Sequence, residues 1–449
     1  MNDWELAQEC MDELKDVNRD LNPIHFSDQY IKTKKNKAGD VIGVTVLPVM
    51  ENVKAVLNHY EIRLKYNKLT NKILCFKRFA YIGEMGDSFI NDIEDKCIKQ
   101  DFFIKKEKLT SQLCAIADEY AFNPIEDFLR KAYAKWDGKS RFDELCATLV
   151  TDKRQEELKR MYIKKFMITA VALQLSDKPI SSQGMFVLQG PQGIGKTTWF
   201  KKLVPEHLRD QYFLEGKSLQ LNNKDSIVEC TSAWITELGE IASTFKKSDM
   251  DNLKAHITAD KDRLRYPYGK SWQDRRRYVF YVGTVNEEQY LKDETGTRRF
   301  WTISVKDVNF NHNINLEQLW GEIVHFWEEG ETHWFTKTEI ELIMENNKEY
   351  EIRSELELML ETYFDFNDDE DRYWMKACDI YQELGMPKGV NAKKLGHALG
   401  QLGVYSQDGR SRIRYYAMPP CKFNYNHNEY QELTEEELGV ALTRMAVYK

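Results

Sequence analysis

The sequence lacks an apolar run long enough to cross a membrane. Its longest such run, at residues 166–175, is far short of the roughly 20 residues that a bilayer-spanning helix requires. The N-terminus is polar and acidic, which is not the pattern of a signal peptide. The eight cysteines are scattered, with no CxxC pair and no Cys/His cluster, so reduced thiols are predicted and a structural zinc site is not. Together these absences predict a cytoplasmic protein without a membrane contact.

The chain also lacks a positive net charge. Its formal net charge is −8 over 449 residues, which by itself argues against a nucleic-acid partner. Hydrophobic residues make up 42% and charged residues 30%, a mixture typical of globular proteins. A chain of this length predicts two to four domains, so the distribution of charge among domains is more informative than its sum.

Local patterns divide the chain into five predicted parts. The short strands and helices at the N-terminus indicate a small α+β domain, and alternating strand and helix patterns later in the chain indicate an α/β layer. The run at 361–371 holds six acidic residues and predicts a solvated linker or loop. The predicted parts are an α+β domain at 1–115 that begins with a helix at 2–21, a helical lead-in at 116–180, an α/β core at 181–350, a C-terminal module at 351–420 and an acidic tail at 421–449.

The strongest motif fits the pattern G-x-x-x-x-G-K-[ST]. A short apolar strand is predicted just before it, at 184–188, and a helix just after it. A strand, a glycine-rich loop and a helix in this order are the setting of a nucleotide-binding P-loop. The alternative is a glycine-rich turn that begins a helix. The motif comprises Gly190, Pro191, Gln192, Gly193, Ile194, Gly195, Lys196, Thr197 and Thr198.

Each residue type in this motif has a chemical reason. Glycines let backbone N–H groups curl around phosphates, and the N-terminus of the following helix attracts negative charge. Lys196 is expected to contact the β- and γ-phosphates of ATP, and the Thr197 hydroxyl is expected to bind Mg²⁺.

Two later strands end in polar side chains that a nucleotide site needs. Glu237 closes the apolar run 232–238 and is predicted to bind Mg²⁺ or its water, and Glu240 is a candidate to polarise the attacking water. Asn286 follows the strand predicted at 278–285 and is a candidate to bind that water or the γ-phosphate. The alternatives are solvent-facing acids for Glu237 and Glu240, and a helix cap for Asn286.

Two adjacent arginines, Arg298 and Arg299, lie in a turn followed by aromatic residues. An arginine supplied by a neighbouring subunit can stabilise the charge of a phosphoryl-transfer transition state. The alternative is a pair of arginines held by salt bridges within the loop.

The ordered segments GPQGIGKTT, WITELGE, TVN and DETGTRRFW resemble the virulence-associated E family. These are phage- and island-encoded ATPases similar to superfamily 3 helicases of the AAA+ class, and the resemblance covers residues 116–305. It implies a Walker A loop at 190–198, a Walker B acid at Glu237, a sensor 1 residue at Asn286 and an arginine finger at Arg298 or Arg299. The sequence departs from the usual adjacent acidic pair, because Leu238 follows Glu237. Residues 1–115 contain no primase site that we recognise.

The segment 254–277 concentrates positive charge, with eight cations against three acids and three interleaved aromatic residues. Such a segment can track phosphates and stack on bases. The family resemblance implies a hairpin here that grips single-stranded DNA, with Arg275 to Arg277 facing a neighbouring subunit as an alternative. A solvated face with salt bridges is the other alternative. The candidate DNA contacts are Lys254, Lys261, Arg263, Arg265, Tyr268 and Lys270.

The C-terminal module reads as three helices followed by a β-hairpin, an order typical of a winged helix. The third helix, predicted at 391–402 with Asn391 as its N-cap, carries Lys393 and Lys394, and the wing carries further arginines. A winged helix can bind duplex DNA through its third helix, or it can bind a protein.

The sequence therefore predicts an α/β P-loop AAA+ core with an N-terminal α+β domain, a helical lead-in and a winged-helix-like C-terminal domain. The predicted function is an ATP-dependent helicase or translocase that acts in phage or mobile-element replication. It would form a ring, expected to be a hexamer, around single-stranded DNA. One alternative is an ATP-switched DNA-binding initiator or regulator without unwinding activity. The other is a small-molecule kinase, which the paired arginines disfavour.

Overall fold

The computed structural model describes residues 22–239, 247–265, 272–291, 297–366, 371–385, 390–408, 413–422 and 431–434. The helix predicted at 2–21 and most of the acidic tail lie outside these ranges. The chain divides into two units, Met1–Tyr350 and Glu351–Lys449. None of the helices in the described part combines the length and the apolar character that a bilayer-spanning helix requires.

The first part of the larger unit is an α+β layer. A two-stranded ribbon precedes an antiparallel sheet of order β3-β4-β5, and three helices pack on one face of that sheet. The alternating burial along Ile62–Asn67 follows from the two-residue period of a strand, with Ile62 and Leu64 directed towards the helices. The elements are β1 (Ile31–Lys35), β2 (Val41–Val46), α1 (Met50–His59), β3 (Ile62–Asn67), β4 (Lys72–Lys77), β5 (Ala80–Glu84), α2 (Asp87–Lys99) and α3 (Lys106–Glu119).

A helical segment follows and packs against a helix from much later in the chain. Its elements are α4 (Pro124–Ala134), α5 (Phe142–Ala147), β6 (Leu149–Val150) and α6 (Glu156–Leu175). The buried carboxylate of Glu322 accepts hydrogen bonds from the backbone N–H groups of Arg141 (2.6 Å) and Phe142 (3.0 Å). Glu322 therefore caps the first turn of α5, whose N–H groups have no partner within the helix.

The core of the larger unit is a five-stranded parallel sheet of order β13-β7-β12-β9-β8. The chain is thus a mixed α/β protein with a parallel sheet, as the sequence predicted. α6 packs against the sheet and contributes Phe166, whose ring centroid lies 5.0 Å from that of Phe280. The elements are β7 (Met185–Gln189), α7 (Lys196–Lys202), α8 (Glu206–Tyr212), β8 (Phe213–Lys217), α9 (Lys224–Cys230), β9 (Ile235–Leu238), α10 (Lys247–Ile257), β10 (Lys261–Arg265), β11 (Trp272–Arg276), β12 (Phe280–Val285), β13 (Phe300–Ser304), β14 (Asp307–Val308), α11 (Leu316–Glu328) and α12 (Lys337–Asn347).

The smaller unit has the order helix, strand, helix, helix, strand, strand and a final short strand. Asn391 caps α15 as predicted, because its side chain accepts from the N–H of Lys394 (2.9 Å). Its elements are α13 (Glu355–Tyr363), β15 (Tyr373–Lys376), α14 (Ala377–Glu383), α15 (Ala392–Gln401), β16 (Ser406–Asp408), β17 (Arg414–Met418) and β18 (Gln431–Glu432), and its sheet has the order β16-β17-β15-β18.

Two sequence expectations for this unit were wrong. The first three residues of the run predicted as a linker at 361–371 belong to α13, which ends at Tyr363. The next residue, Phe364, is fully buried in the core of the unit. The strand Tyr373–Lys376 was missed, although it pairs with β17 and β18. The density of acidic residues in this part of the sequence obscured the buried ring of Phe364 and the short strand that follows.

Candidate functional site

The glycine-rich loop joins the buried strand β7 to the first turn of α7. The N–H of Gly190 donates to the carbonyl of Val285 (3.1 Å), which ties the loop to β12. Gly193 and Gly195 have φ values of +85° and +91°, in the region that side chains with a Cβ disfavour. A Cβ on Gly195 would lie 2.2 Å from the Phe310 ring. The loop conformation therefore requires glycine at position 195 for two independent reasons.

Lys196 lies at the centre of this loop and is only 6% exposed. Its ammonium donates to the carbonyls of Gly190 (2.7 Å) and Pro191 (2.7 Å) and to Oδ1 of Asn286 (3.0 Å). Burial lowers the pKa of Lys196 from its usual value, and the charge of Glu287 opposes this shift. The lysine is thus held as a buried cation by oxygen atoms that an anionic ligand could replace.

Glu237 is the acid of the site, and it is 2% exposed. Its Oε1 accepts from the hydroxyls of Thr197 (3.2 Å) and Thr284 (2.7 Å), and its Oε2 accepts from the N–H of Gly216 (2.7 Å). Thr197 and Glu237, which the sequence predicted as the metal ligands, are therefore neighbours. Hydroxyl and carboxylate oxygens are the donors that Mg²⁺ prefers, so the residues present fit that ion.

The sheet topology brings these side chains together. β7, β12 and β9 are adjacent and parallel, so the residues that follow their carboxyl ends lie along one edge of the sheet. Lys196, Asn286 and Glu237 come from three separate segments that meet at this edge. The sequence analysis missed Thr284, which is the last residue but one of β12 and lies two residues before Asn286.

Arg298 and Arg299 lie at the other end of the strands, where β13 and β7 begin. They form a short 3-10 turn directly before β13, and Phe300 pairs with Met185, the first residue of β7. The five residues of β7 separate this amino-terminal end of the strands from the glycine-rich loop at their carboxyl end, a distance of about 16 Å along the strand. The turn is anchored by Asn347, whose side-chain amide donates to the carbonyls of Thr297 and Phe300 (2.8 Å each). Arg298 is exposed there.

The predicted basic hairpin is present as two antiparallel strands, β10 and β11. Lys261 and Arg263 are exposed on β10. The described residues do not include the connection between the two strands, which holds Tyr268 and Lys270. They also do not include Glu240 or the side chain of Arg265. Lys254 is only 3% exposed on α10, which contradicts its predicted place on a nucleic-acid-binding surface.

The three consecutive arginines after β10 contact groups within the chain. Arg276 donates to the carbonyl of Leu173 (2.8 Å) near the end of α6, and Arg277 forms a buried ion pair with Asp262. Arg275 donates to the hydroxyl of Tyr66 in the N-terminal sheet. The alternative in which these arginines face a neighbouring subunit is therefore wrong for Arg277, which is 3% exposed.

A half-buried histidine lies at the base of the hairpin. Nε2 of His256 lies 3.0 Å from the hydroxyl of Tyr281, and Arg277 contacts the backbone carbonyl of His256. Burial, assisted by the positive charge of Arg277, lowers the pKa of His256 to about 4. The histidine is therefore neutral at physiological pH.

These features define a mixed α/β protein whose parallel sheet carries a glycine-rich loop, a buried lysine and a buried carboxylate at one edge. Residues 129–352 match the family model of the virulence-associated protein E-like domain, so the chain carries a domain of this family over just under half of its length. The match confirms the family resemblance noted in the sequence.

Comparisons with other proteins add little to this assignment. No curated protein sequence matches the chain at a significant level. Among solved structures, the chain is similar to the apo structure of the NrS-1 C-terminal region, with 14% identity, 82% of this chain and 98% of that chain covered, and a TM-score of 0.41. It is similar to the A form apo structure of the same region with 12% identity, 82% and 99% coverage and a TM-score of 0.41. These similarities are too low for us to infer a function from them.

Proposed function

We propose that the glycine-rich loop binds ATP and that the larger unit hydrolyses it as a P-loop ATPase of the AAA+ class. The observation that carries this proposal is the convergence of the Lys196 ammonium, the Thr197 hydroxyl and the Glu237 carboxylate at one edge of the parallel sheet. Each group occurs at the place in the motif where phosphate and metal chemistry requires it. The carbonyl oxygens that now accept from Lys196 would give way to phosphate oxygens.

We propose the remaining roles from the contacts of Thr197, Glu237 and Asn286 and, for Glu240, from the sequence. Thr197 and Glu237 would hold Mg²⁺, which would neutralise charge on the phosphates. Asn286, already 3.0 Å from the Lys196 ammonium, would orient the attacking water beside the γ-phosphate. Glu240 remains our candidate for the general base.

The position of Arg298 and Arg299 supports an assembly of several subunits. They lie about one strand length from the loop of their own chain, at the amino-terminal end of the parallel strands. An arginine finger at this place would act on the nucleotide of a neighbouring subunit, which requires a closed ring, and we expect a hexamer.

We further propose that the ring translocates on single-stranded DNA as a superfamily 3-type helicase in phage or mobile-element replication. The exposed cations Lys261 and Arg263 on the hairpin support this step. Arg265, Tyr268 and Lys270 stay candidates from the sequence alone. Lys254 is removed from this set because it is buried.

The deciding experiment compares ATP hydrolysis and unwinding of a forked DNA duplex by the full chain and by Lys196→Ala. We expect hydrolysis stimulated by single-stranded DNA and strand separation in the wild type, and neither in the variant. Lys201→Ala is the matched control, because Lys201 is one turn further along α7 and forms an exposed ion pair with Glu215 (2.9 Å). Equal activity of wild type and Lys196→Ala would refute the assignment of the site. Hydrolysis without unwinding on any overhang would refute the helicase step alone.

A second candidate function is an ATP-switched initiator that binds duplex DNA without separating its strands. The observation that favours it is the smaller unit, in which α15 presents the exposed residues Lys393 and Lys394. A third helix of this kind is typical of a major-groove contact. Nucleotide-dependent assembly on a duplex, protection of a defined sequence and no unwinding would select this function over the first.

A further inference from the structure

The N-terminal sheet has one face that the three helices of its own domain leave uncovered, and this face carries aromatic and basic side chains. Its other face packs Ile62, Leu64 and Ile73 against the three helices. On the uncovered face, one row across the sheet is formed by Arg63, Phe76 and Tyr81, which are opposite one another in the strand pairing. The aromatic–basic face, as we call it, consists of Arg63, Lys65, Phe76, Phe79 and Tyr81.

The side chains of this face are arranged as alternating rings and cations. The Arg63 guanidinium lies 4.4 Å from the centroid of the Phe79 ring, and the Lys65 ammonium lies 5.8 Å from that of Phe76. Phe76 and Tyr81 contact each other edge to face at 5.8 Å. Phe79 is 77% exposed and Tyr81 is 57% exposed. Large exposed rings that cluster on one face mark an interaction surface, whereas a single exposed ring does not.

The charge around these rings indicates the chemistry of the partner. Residues 61–84 contain six cations and only two acids in a chain whose net charge is negative. Cations that accompany exposed rings suit a polyanion whose units carry flat faces. Single-stranded nucleic acid has this combination of phosphates and unstacked bases, whereas a duplex keeps its base faces stacked inside.

The face also borders a cleft large enough for a strand. A cleft of about 530 Å³ has Phe76 and Tyr81 on one wall and Leu214 and Gln211 of the parallel-sheet domain on the other. Asn67 fixes the two walls at the base of the cleft, because its side-chain amide donates to the Tyr212 hydroxyl (2.9 Å) in a buried contact.

We propose that the aromatic–basic face is a second nucleic-acid site, which binds a single strand through base stacking on Phe76, Tyr81 and Phe79 and through phosphate contacts of Arg63 and Lys65. The site lies outside the ATPase core and operates without nucleotide. It reads no sequence, because ring faces stack on any base.

The test measures binding of the full chain, without nucleotide and at low salt, to a fluorescent 20-mer of deoxythymidine, to the matched 20-mer of uridine and to a duplex of the same length. Phe76→Ala with Tyr81→Ala is expected to weaken binding of the single strands by roughly tenfold for each ring removed. Tyr81→Phe, which keeps the ring, is expected to bind as the wild type does. Phe103→Ala removes another exposed ring (70% exposed) outside the face and serves as the matched control.

Two additions separate this site from others. The same comparison is made in a Lys261→Ala, Arg263→Ala background, where any binding by the hairpin is reduced. Photocrosslinking of an oligonucleotide with 5-iodouracil then maps the contact, and we expect crosslinked peptides within residues 60–84. Because Phe76 is half-buried, the more exposed Tyr81→Ala alone provides the result if the double variant does not fold. Unchanged affinity in a folded Tyr81→Ala variant, or crosslinks only outside 60–84, would overturn the proposal and indicate a protein partner for this face. A preference for either 20-mer decides between DNA and RNA.

Discussion

The carboxyl edge of the parallel sheet and the basic segment at 254–277 both concentrate cations, but they hold them in different ways. At the sheet edge, the single ammonium of Lys196 is buried and surrounded by oxygen atoms of the loop and of Asn286. In the basic segment, Arg276 and Arg277 contact carbonyl and carboxylate groups of the chain itself, whereas Lys261 and Arg263 are exposed.

The difference shows what a motif specifies and what a charge count does not. A glycine-rich loop between a strand and a helix sets backbone conformation, and the backbone then fixes where the lysine lies. A run of basic residues sets only the local charge. Whether each arginine faces solvent, caps a helix or pairs with an acid depends on what the rest of the fold places beside it.

The largest expected effect tests the sheet edge. Glu237→Gln should reduce the rate of ATP hydrolysis by about 100-fold or more, because it removes the carboxylate proposed to hold Mg²⁺ beside Thr197, and a bound metal ion contributes several kcal/mol of transition-state stabilisation. A steady-state phosphate-release assay measures this rate. Glu229→Gln, which alters an exposed acid paired with Lys217 (2.6 Å), should leave it unchanged. A Glu237→Gln variant with wild-type turnover would show that this edge is not the catalytic site.

The next effect tests the structural half of the basic segment. Arg277→Ala should lower the free energy of unfolding by about 3–5 kcal/mol, because it leaves the largely buried carboxylate of Asp262 without its partner. Chemical denaturation measures this change. Adding Asp262→Ala should recover part of the stability, since no buried charge then remains. A single variant within 1 kcal/mol of wild type would mean that the ion pair contributes little.

A pH effect of intermediate size comes from His256. The pKa of His256 is about 4 in the folded protein and about 6.5 in the unfolded chain. Between these two pH values the unfolded chain therefore binds more protons than the folded protein does. Stability from this group is complete above pH 6.5 and falls by about 1.4 kcal/mol per pH unit towards pH 4. Denaturation curves at pH 7.0, 5.5 and 4.5 measure the slope, and His256→Gln should make it shallower. Equal slopes in the two proteins would contradict the assignment.

The smallest effect on stability tests the exposed half of the segment. Lys261→Ala with Arg263→Ala should change the free energy of unfolding by less than about 0.5 kcal/mol, since both side chains are exposed. The same variant should weaken single-strand binding and make the slope of log affinity against log salt shallower by about 0.7 for each phosphate that the removed cations neutralise in the wild type. Lys337→Ala, an exposed lysine on α12, is the control. Unchanged salt dependence would remove the hairpin from the nucleic-acid path.

Much of the fold was predictable because its segments carry local periodicity. The strand predicted at 184–188, the helix after the glycine-rich loop and the cap at Asn391 all follow from patterns within a few residues, and the structure has them at Met185–Gln189, Lys196–Lys202 and Asn391. The missed strand Tyr373–Lys376 is short and follows an acidic run, so its identity depends on pairing with β17 more than 35 residues later. Long-range pairing leaves no signal in a local window.

The candidate site divides in the same way. The motif named Lys196 and Thr197, and the ends of apolar runs named Glu237 and Asn286. Thr284 and the N–H of Gly216 became visible only in the structure, because they belong to strands whose order in the sheet no local pattern gives. The burial of Lys254 was hidden for the same reason.

The sequence by itself determined the glycine-rich loop, the family of the domain at 129–352 and the mixed α/β class, because each depends on residue types at fixed short spacings. The tertiary structure decided which cations are buried. It placed Arg298 and Arg299 at the end of the strands opposite the loop. It also placed Phe76 and Tyr81 on an uncovered face with Arg63. These outcomes depend on strand order and packing between segments far apart in the chain, where burial and distance, not composition, set what a side chain can do.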